Sequence, residues 1–503
     1  MASTSDMKTY GLAAGCMTTV TLIIGGTSVL GIPFVVWHAG AVSSLFTLVA
    51  ASLLAIIPAL WIVETSARAE ALEQLSFCDE TLVTVSSALA SCQVRTERKF
   101  ELQELTDIFL GKHLGFVFWF VAITNSLLNS WLQAQVAAAS WASNLPFKGS
   151  VFAKCTDEDF LLHDHPNGGC WNSYAVCIVV FGVITVFLAW FDLHQLGFLN
   201  YIVTVARFIV LAAMVVHSLV LSADRNVDRK EPKETGNSVW TNFSTAGWLA
   251  SVPVFIFSQL FPLPIPTVIQ PMSNKAKLRR MLIAAVTTNA VLYFVVGVAV
   301  ATNFEWNTNE MANLNWVRYT GEKYNGAVRA LAHIIVLFPS VDVTLSFVYQ
   351  AIVLVNIAES WIFGGHVSFS RQTRFIHRLI ASIIPLIGAV FITNLVTVTK
   401  YISLTVYFLG VVIPAAIQYK SKNIWLKKLC SLSQQKEMPD DRSKGATFIN
   451  RAALIATDLC PTSLNDNPYS GWYSRTPVVI VVLVSAVICA IITVVGMVSY
   501  PVQ

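Results

Sequence analysis

The sequence predicts an all-α polytopic membrane protein of about eleven transmembrane helices: two inverted five-helix repeats, with discontinuous helices 1 and 6, plus an extra C-terminal helix. Three observations predict it. Apolar residues make up 55% of the 503 and charged residues only 12%, against roughly 25% charged in a soluble domain, and the mean hydropathy is +0.62. Eleven apolar runs punctuate the chain, where crossing a bilayer takes ~20 residues. The first and sixth of those runs are broken internally by glycine and proline.

The first run covers about residues 12–36, and its second half reads Gly25-Gly26-Thr27-Ser28-Val29-Leu30-Gly31-Ile32-Pro33. Glycine disfavours a helix by ~1 kcal/mol per position and proline by ~3. Open backbone at membrane depth is tolerated only against protein, water or ligand. The segment therefore reads as a binding site before it reads as an anchor. Residues 1–11 are short and polar, and the run is too long for a signal-peptide core, so a cytoplasmic N-terminus precedes an uncleaved span. Runs at 42–65, 113–143, 174–191 and 198–221 complete a first set of five over 12–221. Polar residues 66–112 form a cytoplasmic loop in this reading, and 144–173 an extracytoplasmic one.

The sixth run, 248–270, repeats the anomaly. Pro253 lies near its start, and Ser258-Gln259-Leu260-Phe261-Pro262-Leu263-Pro264-Ile265-Pro266 interrupts its second half. Alternating prolines remove three backbone donors and bias each preceding residue away from helix. Runs at 281–302, 327–357, 377–397 and 401–419 complete a second set over 248–419. A cytoplasmic loop, 420–476, then leads to an eleventh helix at 477–499 and an extracytoplasmic C-terminus. Five spans from one break to the next reverse the orientation of the second set. That is the arithmetic of inverted repeats whose broken helices meet near the midplane.

Charge sets the orientation. With the N-terminus inside, 22 of the 33 Lys and Arg fall on the cytoplasmic side, 10 on the far side and Arg207 within a span. Lys275-Ala276-Lys277-Leu278-Arg279-Arg280 and Arg371-Gln372-Thr373-Arg374 make the basic cytoplasmic loops. Cys155 and Cys170 share one extracytoplasmic loop, where an oxidising compartment permits a disulfide; the alternative is two free thiols. Asn242-Phe243-Ser244 is a glycosylation sequon on the same side. Cys16, Cys177 and Cys489 lie in apolar runs as small hydrophobes.

The net charge of +4 gives no case for nucleic acid. His163-Asp164-His165 reads as a solvated loop and not a metal site. No Walker, nucleophile-elbow or HExxH motif supports an enzyme. The chain is expected in the plasma membrane or an endolysosomal membrane, with the lipid bilayer as its surroundings and no resident cofactor.

Gly26-Thr27-Ser28-Val29-Leu30-Gly31-Ile32-Pro33 resembles the first-helix signature of the amino acid/auxin permease family, within the amino acid-polyamine-organocation superfamily. That signature reads G-T-G-L-L-G-L-P in proton-coupled members, and the resemblance runs from the first span to the tenth. Within the family the chain is similar to the transmembrane protein 104 group. The matching pieces are Ile62-Val63-Glu64, Cys170-Trp171, Phe191-Asp192, Arg207, Pro271-Met272-Ser273-Asn274-Lys275 and Val336-Leu337-Phe338-Pro339. The resemblance implies secondary transport of amino acids driven by Na+ or H+. Ser28 departs from the family, standing where a second glycine usually lets backbone approach the substrate carboxylate. It either hydrogen-bonds a ligand or crowds it.

A zwitterion needs donors for its carboxylate and acceptors for its ammonium. Amides around Gly26, Thr27 and Ser28, near Gly31 and the positive end of the following half-helix, supply the donors. Ser258 and Gln259 supply acceptors. The alternative for the hydroxyls is bonding back to their own helix.

Asp342 lies near the centre of span eight, where a carboxylate costs about 2.5–3.5 kcal/mol on insertion scales. It loads a proton or, with Thr344 or Ser346, ligates sodium; in related permeases a sodium site lies between the first and eighth helices. Those relatives usually carry a neutral residue at this position. The third reading is a structural carboxylate bonded to neighbouring hydroxyls.

Asn125, Asn129 and Gln133 share one face of span three. They line the pathway or glue helices together, and glue is the more frequent use. Glu64 and Arg207, near the cytoplasmic ends of spans two and five, are expected to form an ion pair, with Asp192 as competitor. His217 and His333 read as satisfied core histidines or proton relays.

The expected function is secondary active transport of amino acids or similar small zwitterions by alternating access. The rival is a transporter-fold sensor or scaffold without net transport. A channel fits two broken helices less well.

Overall fold

The computed structural model describes residues 11–25, 27–79, 100–145, 151–155, 168–191, 193–228, 238–270, 272–322, 324–363, 370–393, 395–436 and 470–499. Among them the chain is all helical, and nine helices are long and apolar enough to cross a membrane. The first apolar run is split into α1 (Leu12–Ile24) and α2 (Ile32–Ala39). α3 (Ala41–Asp79), the short α4 (Leu102–Leu110), α5 (Lys112–Ala142), α6 (Gly168–Leu188) and α7 (Leu193–Asp228) follow. The sixth run is split into α8 (Thr245–Gln259) and a stub, α9 (Ile265–Ile269). Then come α10 (Leu278–Phe304), α11 (Gly326–Phe363), α12 (Arg371–Phe391) and α13 (Leu395–Tyr407). A five-residue π-turn, Phe408–Val412, joins α13 to α14 (Ile413–Lys436), and α15 (Thr476–Ser499) is the last helix.

Several boundaries differ from the sequence reading, α14 among them, which runs on to Lys436; three have a local reason. α3 runs past residue 65 because Ala67-Arg68-Ala69-Glu70-Ala71 are strong helix formers with no glycine or proline to stop them. α4 occupies part of the expected 66–112 loop, with Leu102, Leu105 and Phe109 buried on one face. α12, the ninth span, stops at Phe391, where Trp131 Nε1 (3.3 Å) and Gln135 Nε2 of α5 both donate to Ile392 O.

Backbone approaches fix the helix order. Gly40 has φ +85°, and a Cβ there would lie 2.3 Å from Asn242 O. The end of α2 therefore meets the lead-in to α8 without side chains between them. On α10, a Cβ at Gly297 would lie 2.8 Å from Val36 and 2.9 Å from Ile32, so α2 packs directly on α10, the small-residue contact of membrane helices. α15 covers α8 where Pro253 leaves Leu249 O without its helical donor; the Gly496 Cβ position is 3.2 Å from that oxygen. Cys155 and Cys170 are bridged at the lead-in to α6, which marks one end of the bundle, called the disulfide face below.

Candidate functional site

The gap between α1 and α2 is a run of tight turns. Thr27 N donates to Gly25 O (2.5 Å), Leu30 N to Thr27 O (3.2 Å) and Ile32 N to Val29 O (3.3 Å). The N–H groups of Ser28, Val29 and Gly31 meet no acceptor among the described residues. Ser28 and Val29 are nevertheless only 5% and 4% exposed, and Gly31 is buried. Buried backbone donors are nearly always paired. Three unpaired ones at the positive end of α2 make a site suited to a carboxylate. Gly26 lies outside the described residues. The Gly31 Cβ position is 3.4 Å from Val254 and 3.6 Å from Leu395, ordinary van der Waals contact, so helix packing alone does not demand glycine there.

The other end of the gap is closed by side chains. Ser28 Oγ donates to Ile24 O (2.7 Å) and is hydrogen-bonded to Tyr293 Oη of α10 at 2.8 Å. Tyr293 Oη also lies 3.3 Å from Ile23 O, and Arg207 Nη1 of α7 donates to Thr21 O (3.0 Å). The terminal carbonyls of a helix lack intrahelical partners. Here three in the last turn of α1 are met by a hydroxyl chain and a guanidinium. Ser28 is thus neither bare backbone nor a free ligand group.

The expected Glu64–Arg207 pair is replaced by two others. Arg207 pairs with Asp342 of α11 through Nε to Oδ2 (2.9 Å) and Nη2 to Oδ1 (2.6 Å). The two residues are 5% and 2% exposed, and the fork geometry is the strong bidentate form. Glu64 instead takes Arg68, one turn along the same helix face. Gln418 Nε2 (2.8 Å) and Ser474 Oγ (2.6 Å) also donate to Glu64, and Arg68 Nη1 donates to Gln418 and Ser421. The i,i+4 neighbour was available to Glu64 on its own helix, which left Arg207 to the carboxylate on α11. A cavity of about 20 Å³ lies beside the Arg207–Asp342 pair, against Val29 and Leu30 of the gap, Met214 and Phe338. It has room for about one water and none for an amino acid.

At the break after α8, Ser258 Oγ bonds back to Phe255 O (2.8 Å), the alternative use of that hydroxyl. Gln259 is 0% exposed, and neither its Nε2 nor its Oε1 has a hydrogen-bond partner among the described residues. An amide buried without partners costs about 1–3 kcal/mol, so Gln259 remains a ligand-binding candidate. Thr344 Oγ1 donates to Ser340 O (2.6 Å) and, two residues on from Asp342, does not share its helix face. Ser346 shares that face and is half-buried. Neither is brought onto the carboxylate.

In α5, Asn129 bonds back to Asn125 O (3.0 Å), while Asn125 Oδ1 accepts from Thr405 Oγ1 of α13 (2.9 Å). That face is used as helix–helix glue, and Gln133 Oε1 is buried without a partner among the described residues. Asn242 Nδ2 donates to Trp37 O (2.8 Å), which ties the lead-in to α8 to the last turn of α2. His333 Nδ1 meets Asn144 Oδ1. Asp192 and His163-Asp164-His165 lie outside the described residues.

On the disulfide face, the 3₁₀ segment Ala312–Thr320 lies on the gap, with Ala312 N donating to Leu30 O (3.0 Å). Lys154 Nζ donates to Thr320 Oγ1 (3.2 Å), and burial pushes the Lys154 ammonium below the usual lysine range. Tyr293, Gln135 and this segment were not visible as functional residues in the sequence. Tyr293 alone carried a signal, a hydroxyl in an otherwise apolar stretch.

Residues 11–438 match the family model of the transmembrane amino acid transporter protein. No individual curated protein matches the chain. Split apolar helices, buried open donors between them and a family match over most of the sequence agree. The chain belongs to the transmembrane amino acid transporter family, whose members are multi-pass membrane proteins and not enzymes.

Proposed function

We propose that this protein is a proton-coupled secondary transporter of amino acids or similar small zwitterions, working by alternating access. The observation that carries the reading is the trio of buried N–H groups at Ser28, Val29 and Gly31 that meet no acceptor among the described residues. They receive the substrate carboxylate at the positive end of α2. Gln259, in the second break, offers its unpartnered oxygen to the ammonium.

The pair beside the gap supports proton over sodium coupling. Helix C-terminal ends and unwound carbonyls are what coordinate a driving sodium in such folds. Here Thr21 O, Ile23 O and Ile24 O already face Arg207, Tyr293 and Ser28. Asp342 is held by a guanidinium that cannot deprotonate. A proton arriving at Asp342 cancels its charge and removes one acceptor. Arg207 then loosens from α11 while keeping Thr21 O of α1. Substrate at the gap and proton at Asp342 thereby act on the same half-helix.

The remaining parts of this reading are two inverted repeats, 12–221 and 248–419, a cytoplasmic N-terminus, and the disulfide face turned away from the cytoplasm. The likeness to the transmembrane protein 104 group belongs here too. A sensor that binds without turnover is the second reading, favoured by α3 and α14, which run on past their apolar segments to Asp79 and Lys436. Radiolabelled amino acids offered to proteoliposomes under separate proton and sodium gradients test the choice. Accumulation driven by the proton gradient alone is expected. Accumulation that requires sodium overturns the coupling, and saturable binding without accumulation overturns transport.

A further inference from the structure

The segment Ala312–Thr320 seals the helix-1 gap from the disulfide face, and among the described residues five hydrogen bonds hold it there, the outermost from Lys154 Nζ to Thr320 Oγ1 (3.2 Å). Ala312 N donates to Leu30 O in the gap itself (3.0 Å). Asn313 Nδ2 donates to Ser140 Oγ of α5 (2.9 Å) and to Val336 O of α11 (3.1 Å). Trp316 Nε1 donates to His217 Nδ1 of α7 (2.9 Å). Ala312, Asn313, Leu314 and Trp316 are all 0% exposed, so any substrate entering from this face must wait for the segment to lift.

Four of these bonds end on oxygen atoms that do not titrate, and the Lys154 nitrogen donates whether or not it carries its extra proton. The fifth, to His217, is different. An indole N–H can only donate, so Nδ1 of His217 must carry a lone pair, and the ring is neutral when the segment is seated. A second proton placed on the ring occupies Nδ1 and turns acceptor into donor, which leaves two donors facing each other. We infer that His217 is a positioning residue of the transport cycle: its bond to Trp316 latches the 312–320 segment over the gap, and protonation of His217 releases it.

The surroundings fit a ring that changes charge without local compensation. Tyr319 stands edge-on to His217 at 5.7 Å between centroids, and Phe304 packs on Trp316 at 5.0 Å. Tyr324 lies against Tyr319 at 5.1 Å, and the Arg318 guanidinium lies over Phe304 at 5.4 Å. Among the described residues, Tyr319, Tyr324 and Arg318 are the titratable or charged groups around the ring. Among the described residues no carboxylate contacts it. A cation formed there finds no anion among the described residues, and with the segment seated His217 is only 8% exposed. Proton binding is therefore linked to undocking, by up to tenfold in the open-to-closed ratio per pH unit for one linked proton. An acidic compartment on the disulfide face would open the entrance to substrate and close it again at neutral pH.

The inference builds on the transport reading, but gating can be read without transport. The full-length protein is placed in nanodiscs with Ala312→Cys, and modification of that peptide by a maleimide is followed by mass spectrometry between pH 5 and 8. Rates are normalised to Trp306→Cys, a position 73% exposed outside the segment. The normalised rate is expected to rise several-fold towards pH 5. In His217→Gln, which keeps an acceptor and cannot titrate, it should stay low and flat. In Trp316→Phe it should be high and flat. A pH-dependent rise that survives in both variants overturns the latch, as does a wild-type rate that does not change with pH. If His217→Gln fails to fold, Trp316→Phe alone decides. Absence of uptake in liposomes with the labelling pattern intact would count against transport and leave the gate standing.

Discussion

Asp342→Asn is the perturbation with the largest calculable consequence. The change removes the charge that two guanidinium nitrogens share at 2.9 and 2.6 Å. Arg207, 5% exposed, then keeps Thr21 O as its recorded partner. Breaking one side of a buried pair costs about 3–5 kcal/mol, because a charge is left without compensation. That is roughly two to four orders of magnitude in the folding equilibrium. Replacing both partners by apolar groups of similar size is commonly neutral or stabilising. Arg207→Met with Asp342→Leu should therefore unfold within ~1 kcal/mol of the wild type, or above it. Equilibrium unfolding in mixed micelles gives the energies, and uptake against external pH gives the function. The single variant loses stability and coupling together; the double regains stability and stays uncoupled. A double variant as unstable as the single would refute the pair as the energetic unit. Coupled uptake in the double would remove Asp342 from the mechanism.

Three further outcomes follow from other contacts. Gln259→Leu replaces an unpartnered buried amide with an apolar side chain, so the ligand-free protein should gain about 1–3 kcal/mol while KM rises about tenfold; a loss of stability would mean that the amide is structural. Ser28→Ala should cost about 1–3 kcal/mol and Tyr293→Phe about 1 kcal/mol, with the double no worse than Ser28→Ala, since both act through one hydroxyl chain; strict additivity in a double-mutant cycle would contradict that chain. Glu64→Gln should cost about 3–5 kcal/mol by stranding Arg68, and adding Arg68→Gln should recover part of it where adding Arg207→Gln recovers none; the reverse ranking in unfolding midpoints would restore the Glu64–Arg207 pairing.

Much of the architecture was legible because membrane helices advertise themselves by composition and their breaks by glycine and proline. Gly25–Pro33 and Pro262–Pro266 mark both gaps in the sequence, and a shared loop makes Cys155 and Cys170 candidates for the bridge that the structure forms. Pairing was harder to read. Glu64 had one partner four residues away and another across the bundle, and local geometry decided for Arg68. Arg207 and Asp342 are 135 positions apart, and sequence placed them at no common depth. Ser28 was legible as a departure, but its use was not, because Tyr293 reaches it from α10, 265 positions away. The 312–320 segment carried no periodicity at all. Its burial follows from Asn313 and Trp316 finding Ser140, Val336 and His217 on three other helices.

Simultaneous measurement of substrate and proton entry tests the central claim most directly. Proteoliposomes carrying an internal pH dye and no sodium are given a radiolabelled neutral amino acid under an inward proton gradient. The account predicts that substrate-dependent acidification accompanies uptake in the wild type, and that Asp342→Asn abolishes the acidification. Uptake with no proton entry in the wild type, or with none until sodium is added, would contradict it.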